Sequence, residues 1–464
     1  MFKINAYVQR NFLFLMNKYF TGNSMNYKQI FGITIPIFVD SAFIVLISIL
    51  NTAMISSSGI AAVSAVSVVD SLNMFIISVF IAVATGGTVI VAQYKGKRDA
   101  KQASLAASQA ISSVIVISIV ISLFAIIFHS PILNSLFGGA DADVLANAKI
   151  FLIGSCISYP FIAIYQSIVG VLRGVGDTKA SLGLSLILNL SYFILNIILI
   201  TLLDMGVLGL AISLIVARVL GAAVSLIYLI RFNQTLHIKL RSMFKMHISL
   251  LKKIMYIGLP FAAEQLFFNG GKLLTQTFIV QFGTLAITVN AISNSLSMLF
   301  QIGGTALSVA IVTVVGQCMG RKEIGDARKF IKSFIGLSSI FFVFITIIIL
   351  LLFPMLVNIY TPPESIIPDI YQLILLLSIT QPLVWSISFI LPSALRAAGD
   401  SKFTSITALL SMWLFRIILG YILGVTLNYG LIGVWIAMVS EWAVRGVIFW
   451  WRFRGDKWYK HKLI

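Results

Sequence analysis

The chain has 464 residues, of which 59% are hydrophobic and only 10% charged, and its formal net charge is +18. A soluble domain of that composition would have almost nothing polar to place on its surface, so the balance excludes an ordinary soluble protein and points to lipid as the solvent. The positive charge is scattered over short segments, which also excludes a nucleic-acid-binding module.

Residues 1–28 carry Lys3, Arg10, Lys18 and Lys28, and their longest apolar run is Phe12 to Met16, too short for a signal-peptide core. A cytoplasmic interfacial arm with its aromatic residues toward lipid fits this segment. Beyond it, apolar runs of roughly 20 residues or more, enough to cross a bilayer, predict helices at 29–53, 62–92, 104–128, 145–171, 181–203, 206–231, 254–281, 286–316, 329–354, 369–395, 404–426 and 430–451. The arm, the loops at 95–101, 173–179, 321–332 and 396–402, the stretch from Arg231 to Lys253 and the tail hold 28 of the 33 Lys and Arg residues. The alternate loops hold Lys149 alone, beside acids such as Asp141, Asp143, Glu364 and Asp369. Basic residues are retained on the cytoplasmic side, so both termini are predicted there, in a multi-pass protein of the inner (plasma) membrane. The same clusters are expected to touch anionic lipid.

Cys156 and Cys318 lie far apart in apolar segments, and His129, His237, His247 and His461 fall in predicted loops or tails. Neither a disulfide framework nor a metal site is expected from them. The absence of a nucleophile triad, P-loop or dinucleotide fingerprint argues against an enzyme and leaves no catalytic residue or cofactor to name. Gly86-Gly87 and Gly303-Gly304, inside apolar helices, are read as places where neighbouring helices approach closely.

The sequence matches itself at an offset of 224 residues: Pro36 falls on Pro260, Asp40 on Glu264, Gly59 on Gly283, Ser71 on Ser295, Met74 on Met298, Gln93 on Gln317 and Gly96 on Gly320. At an offset of 223, Leu172-Arg173-Gly174-Val175-Gly176-Asp177-Thr178-Lys179 answers to Leu395-Arg396-Ala397-Ala398-Gly399-Asp400-Ser401-Lys402. Matched Pro, Gly, Gln and charged positions in one register mark a duplication. Each half has an even number of spans, so the repeat is parallel, about an axis along the membrane normal. The fold class is thus an all-α polytopic membrane protein with twelve transmembrane helices in two homologous six-helix lobes. Its parts are an arm (1–28), an N-lobe (29–231), a basic linker (232–253), a C-lobe (254–451) and a tail (452–464).

With its twelve spans, paired lobes and doubled Leu-Arg-x-x-Gly-Asp-Thr/Ser-Lys loop at 172–179 and 395–402, the chain resembles the multidrug and toxic compound extrusion (MATE) family. The loop also has a reading of its own. Gly176 and Gly399 permit a tight turn, Asp177 and Asp400 can cap the next helix, and Arg173 and Arg396 hold the loop at the cytoplasmic side. The resemblance implies an antiporter in which proton or sodium entry drives efflux of organic, often cationic and amphipathic, compounds. Many similar members carry Asp-Thr near the outer end of the first helix, where this chain has Asn51-Thr52, and Asn cannot release a proton.

Charged groups inside the bilayer cost about 2.5 to 3.5 kcal/mol each even on the insertion scale, so each one is a functional candidate. Asp40 and Glu264 stand four residues after Pro36 and Pro260, prolines that can open a kink and free carbonyls to hydrate a carboxylate or hold a cation. Either carboxyl, in a partly dry cavity, is expected to bind a proton reversibly and to compete for a cationic substrate. A buried structural ion pair is the competing reading. Lys272 lies two turns beyond Glu264, with Asp70 the partner to test; lining the pathway, it would favour substrates bearing a carboxylate or phosphate. Gln265 and Asn269 could hydrogen-bond substrate or ion, or join helices. Arg218 and Arg416 need partners, for which Glu441 is available, and Glu441 with Arg445 has the spacing of a helix ion pair.

The resulting expectation is a cation-coupled antiporter working by alternating access as a monomer. Its partners are membrane lipids, small organic substrates and the coupling cation. The alternatives are a lipid-linked saccharide or lipid-intermediate flippase, and an intramembrane enzyme.

Overall fold

The computed structural model describes residues 11, 13–56, 60–137, 141–238, 242–243 and 245–464, and among them there is no strand. Lys3, Arg10 and Phe12 of the arm, Gly59, and Lys239 and Arg241 of the linker lie outside the described residues. Every predicted helix is present: α1 Tyr27–Ser56, α2 Ile60–Gly96, α3 Ala100–Ile127, α4 Ala142–Val175, α5 Thr178–Leu202, α6 Gly206–Phe232, α7 Ile248–Val280, α8 Thr284–Gly320, α9 Ile324–Leu351, α10 Glu364–Ala397, α11 Ser401–Thr426 and α12 Gly430–Arg454. Lipid offers the backbone no hydrogen bonds, so each apolar run closes its own ladder as a helix. Eleven of the twelve are long and apolar enough to cross a membrane. The remaining one, α7, is 33 residues long and is interrupted by Glu264, Gln265, Asn269 and Lys272.

The duplication extends to the backbone. Left-handed residues recur at the repeat offset, with Arg98 (φ 62°) answering Lys322 (φ 63°), Asp204 (50°) answering Asn428 (57°), Gly206 (51°) answering Gly430 (58°) and Gly176 (89°) answering Gly399 (106°). Short helices after the third span of each half, His129–Phe137 and Phe353–Asn358, also start at matched positions. Capping differs between the halves: the Asp177 carboxylate accepts the backbone N–H of Ala180 at 3.4 Å, as expected of the loop. Asp400, expected to cap α11, does not. Its oxygens are taken by Arg452 Nε (2.7 Å) and Nη2 (3.1 Å), with His461 Nε2 at 3.1 Å.

The chain divides into two compact units, one of residues 1–38 and 266–464, the other of residues 39–265. The division falls inside α1 and α7, shortly after Pro36 and Pro260. In the first unit the described part of the arm docks on the start of α9. Ser24 N–H and Oγ–H both donate to Asp326 Oδ2 at 2.6 Å, Lys329 Nζ donates to Thr21 O at 2.6 Å, and Phe20 packs against Phe31 and Phe334. In the second unit the linker docks on α3 in the matching way: Ser104 Oγ accepts His237 N–H at 3.0 Å, and Gln109 reaches Lys245 O at 2.7 Å and His247 N–H at 2.9 Å. The glycine pairs behave as read. A Cβ on Gly86 would meet Ile254 O and Gly258 of α7, one on Gly87 would meet Ala110 of α3, and Gly303 and Gly304 face Phe341 and Trp385.

Candidate transport site

Three clusters of polar and charged side chains sit inside the helices. The first, in the unit of residues 39–265, surrounds Asp40, which is 2% exposed. Pro36 lies one turn earlier in α1. Asp40 is not a bare carboxylate. Its Oδ2 accepts a hydrogen bond from Arg173 Nη2 at 2.7 Å, and Arg173 Nε donates to Ser181 Oγ at 3.0 Å. The motif arginine in the last turn of α4 therefore ties α1 to α5. Its loop partner Asp177 accepts from Tyr228 OH at 2.9 Å and Asn233 Nδ2 at 3.0 Å, so the last turn of α6 and the residue after it clamp the loop from the other side.

The second cluster lies in the same unit. Asn73 Nδ2 donates to Asp70 Oδ1 (3.2 Å) and to Ser155 Oγ (3.1 Å), and Asn73 Oδ1 accepts from Tyr159 OH at 2.7 Å. Arg218, in the middle of α6, donates to Ser158 Oγ at 2.7 Å. This hydroxyl, rather than Glu441, is its hydrogen-bond partner. Asn51, the departure in α1, accepts from Asn196 Nδ2 at 3.0 Å; the side chain of Thr52 is outside the described residues. Asn73, Tyr159 and Asn196 were not singled out from sequence. Asn inside an apolar run was the signal for two of them, since a buried amide has to find partners.

The third cluster belongs to the unit of residues 1–38 and 266–464. Glu441 is fully buried and shared: Arg416 Nε donates to Oε2 at 2.7 Å and Arg445 Nη1 lies 3.0 Å from Oε1. Arg445 Nε also donates to Ser388 Oγ at 2.8 Å. Phe268 is faced by two cations, Lys272 Nζ at 4.8 Å and the Arg416 guanidinium at 5.2 Å from the ring centre. The expected partner of Lys272, Asp70, is engaged in the other unit with Asn73, and Lys272 itself lies over the Phe268 ring that it shares with Arg416.

The other candidates on α7 are dispersed around the unit boundary. Pro260, Glu264 and Gln265 are half-buried members of the 39–265 unit, while half-buried Asn269 belongs to the other. Arg396 is buried at the end of α10, and no group of three or more His, Cys, Asp or Glu residues able to hold a metal occurs among the described residues.

Twelve long helices in two homologous halves, with ionisable groups held inside the spans, define a multi-pass membrane transporter rather than an enzyme. The MatE family model matches residues 36–202 and again 260–422, one copy per half, and the chain belongs to that family. It is 30% identical over 439 residues to the uncharacterized transporter YisQ of Bacillus subtilis, covering 93% of this chain and 94% of that one. It is 24% identical to a probable multidrug resistance protein, NorM, of Thermotoga maritima, with 94% of each chain covered. Among solved structures, an outward-facing multidrug resistance MATE transporter of the MOP superfamily superposes with a TM-score of 0.85 at 19% identity, over 92% of this chain and 95% of the other. At that identity the likeness is one of fold.

Proposed function

We propose that the protein exports small amphipathic organic compounds, many of them cationic, in exchange for a proton or sodium ion. It would act by alternating access, as a monomer in the inner (plasma) membrane with both termini cytoplasmic. The observation that carries the reading is Glu264: a half-buried carboxyl in the middle of α7, one turn after Pro260 and one residue from where the helix passes between units. An acid there can exchange a cation as the units rock, and Pro36 and Pro260 supply helix positions that bend at low cost. Asp40 is the second acid of the pathway and must leave Arg173 before it can bind a cation. The excess of Lys and Arg in alternate loops supports the orientation of the termini.

The test is efflux of ethidium from vesicles containing the full chain, under an imposed proton gradient and then a sodium gradient, for wild type and Glu264→Gln. Gradient-driven efflux lost in the variant is expected, and the effective gradient names the ion. Efflux under neither gradient, or efflux indifferent to Glu264→Gln, overturns the reading.

A further inference from the structure

Within the unit of residues 1–38 and 266–464, Glu441 is the sole acid in the middle of a helix; Glu323, Asp326, Glu364, Asp369, Asp400 and Asp456 all lie at helix ends or in loops. Two cations, Arg416 and Arg445, pair with it, and a third inside the helices, Lys272, shares the Phe268 ring with Arg416. Both oxygens of Glu441 are used by the two arginines, which are 5% and 3% exposed. That leaves the cluster two positive charges in excess. The surplus is concentrated at Lys272, because it has no carboxylate within ion-pair distance among the described residues. The Arg416 guanidinium shares the Phe268 ring with it.

Lys272 is also the one cation of the three that is exposed. It stands eight residues before the end of α7 at Val280, about 12 Å along the axis. That is too far for a lysine stem to carry its ammonium to the membrane surface. Pointing at lipid there would cost kilocalories for no return, so the ammonium belongs on a water-accessible face. An exposed ammonium with a second cation behind it on the same aromatic ring is built to receive an anion. Phe268 adds an apolar face for the body of the molecule.

Resting on the transport reading, we propose that Lys272, which shares the Phe268 ring with Arg416, binds the carboxylate or phosphate of the transported compound, and that the preferred substrates are amphiphiles bearing such a group.

Rhodamine B and its ethyl ester isolate this property, since the two dyes differ only in whether the carboxylate is free. Binding is read by fluorescence polarisation on the purified full chain, which needs no gradient. Wild type is expected to bind the free acid roughly 10-fold more tightly than the ester, the size of a charge-assisted contact. Lys272→Met should erase that preference by weakening the acid alone, and Lys272→Arg should keep it. The ester is the folding control. Equal losses for both dyes in Lys272→Met, no preference in wild type, or no saturable binding of the acid overturns the proposal. Preference for the acid without gradient-driven efflux would leave Lys272 an anion receptor and discard the antiport reading instead.

Discussion

Arg173 Nη2 lies 2.7 Å from Asp40 Oδ2, joining the doubled motif loop to the acid that follows the proline of α1. The partners are 20% and 3% exposed, so the pair is largely dry. Removing one member of such a pair strands the other. Asp40→Asn and Arg173→Met should each lower stability by about 3–5 kcal/mol, while the double variant should recover most of that loss. Thermal unfolding of the four proteins in detergent closes the cycle. A single variant as stable as wild type would remove the pair from the structural account, and any transport defect in Asp40→Asn would then be a direct one.

Glu441 holds two arginines at once, and the amide of Glu441→Gln cannot balance either charge. A fall in stability of about 3–5 kcal/mol or more is expected, larger than for Lys272→Met, which removes surplus charge. Folded yield and unfolding midpoint rank the two variants. The opposite order would mean that Lys272 is a structural member of the cluster.

The tail should respond to acid through Asp400. Burial pushes the Asp400 carboxyl up, but hydrogen bonds from His461 and Arg452 more than offset this and hold it below its ordinary value of 3.8. A group depressed in the folded state stabilises above its unfolded pKa, and that contribution disappears as pH falls through the folded value. The tail is therefore expected to stay docked from neutral pH to about 4 and to loosen in stronger acid. Hydrogen exchange of residues 455–464 should show this in wild type. In Asp400→Asn the protection factors of the same residues should be lower at every pH, with little dependence between 3 and 7.

At Lys322 the chain turns with φ 63°, a conformation that costs a side-chain-bearing residue roughly 1 kcal/mol and glycine almost nothing. Lys322→Gly should leave the protein as stable as wild type or up to about 1 kcal/mol more so. Gly176→Ala, at φ 89°, should cost about 1 kcal/mol or more. Unfolding midpoints of the pair check the sign of each.

Much of this architecture could be read in advance. Apolar runs broken by Lys and Arg gave all twelve helices, because lipid leaves the backbone no other solution, and the register of Pro36 with Pro260 exposed the repeat. Glu441 with Arg445 was visible as an i,i+4 pair. Arg173 with Asp40 was not, since contacts between residues 133 apart follow from helix packing and leave no period in the sequence. The same holds for Asp400, whose loop looks like that of Asp177. What differs is a matched residue near the end of the sixth span of each half, Arg452 in place of Tyr228, and an arginine takes the carboxylate away from helix capping. The passage of α1 and α7 from one unit to the other was not read from the sequence, because the polar residues beside the change, Asp40 in α1 and Glu264 and Gln265 in α7, mark a break in hydropathy without saying that the helix changes unit there.

That passage sets the order in which the molecule can be completed during synthesis. The unit of residues 39–265 lacks its last helical piece until the first half of α7 has been made, so an N-terminal half ending at residue 231 would leave the ribosome unfinished. Residues 1–38 must wait for α9 before finding the surface they pack on, with Ser24 against Asp326 and Phe20 against Phe334. The two halves, though copies of one ancestral unit, are thus obliged to fold as a single transaction, and a chain cut in the linker should regain its structure only when both pieces are present together.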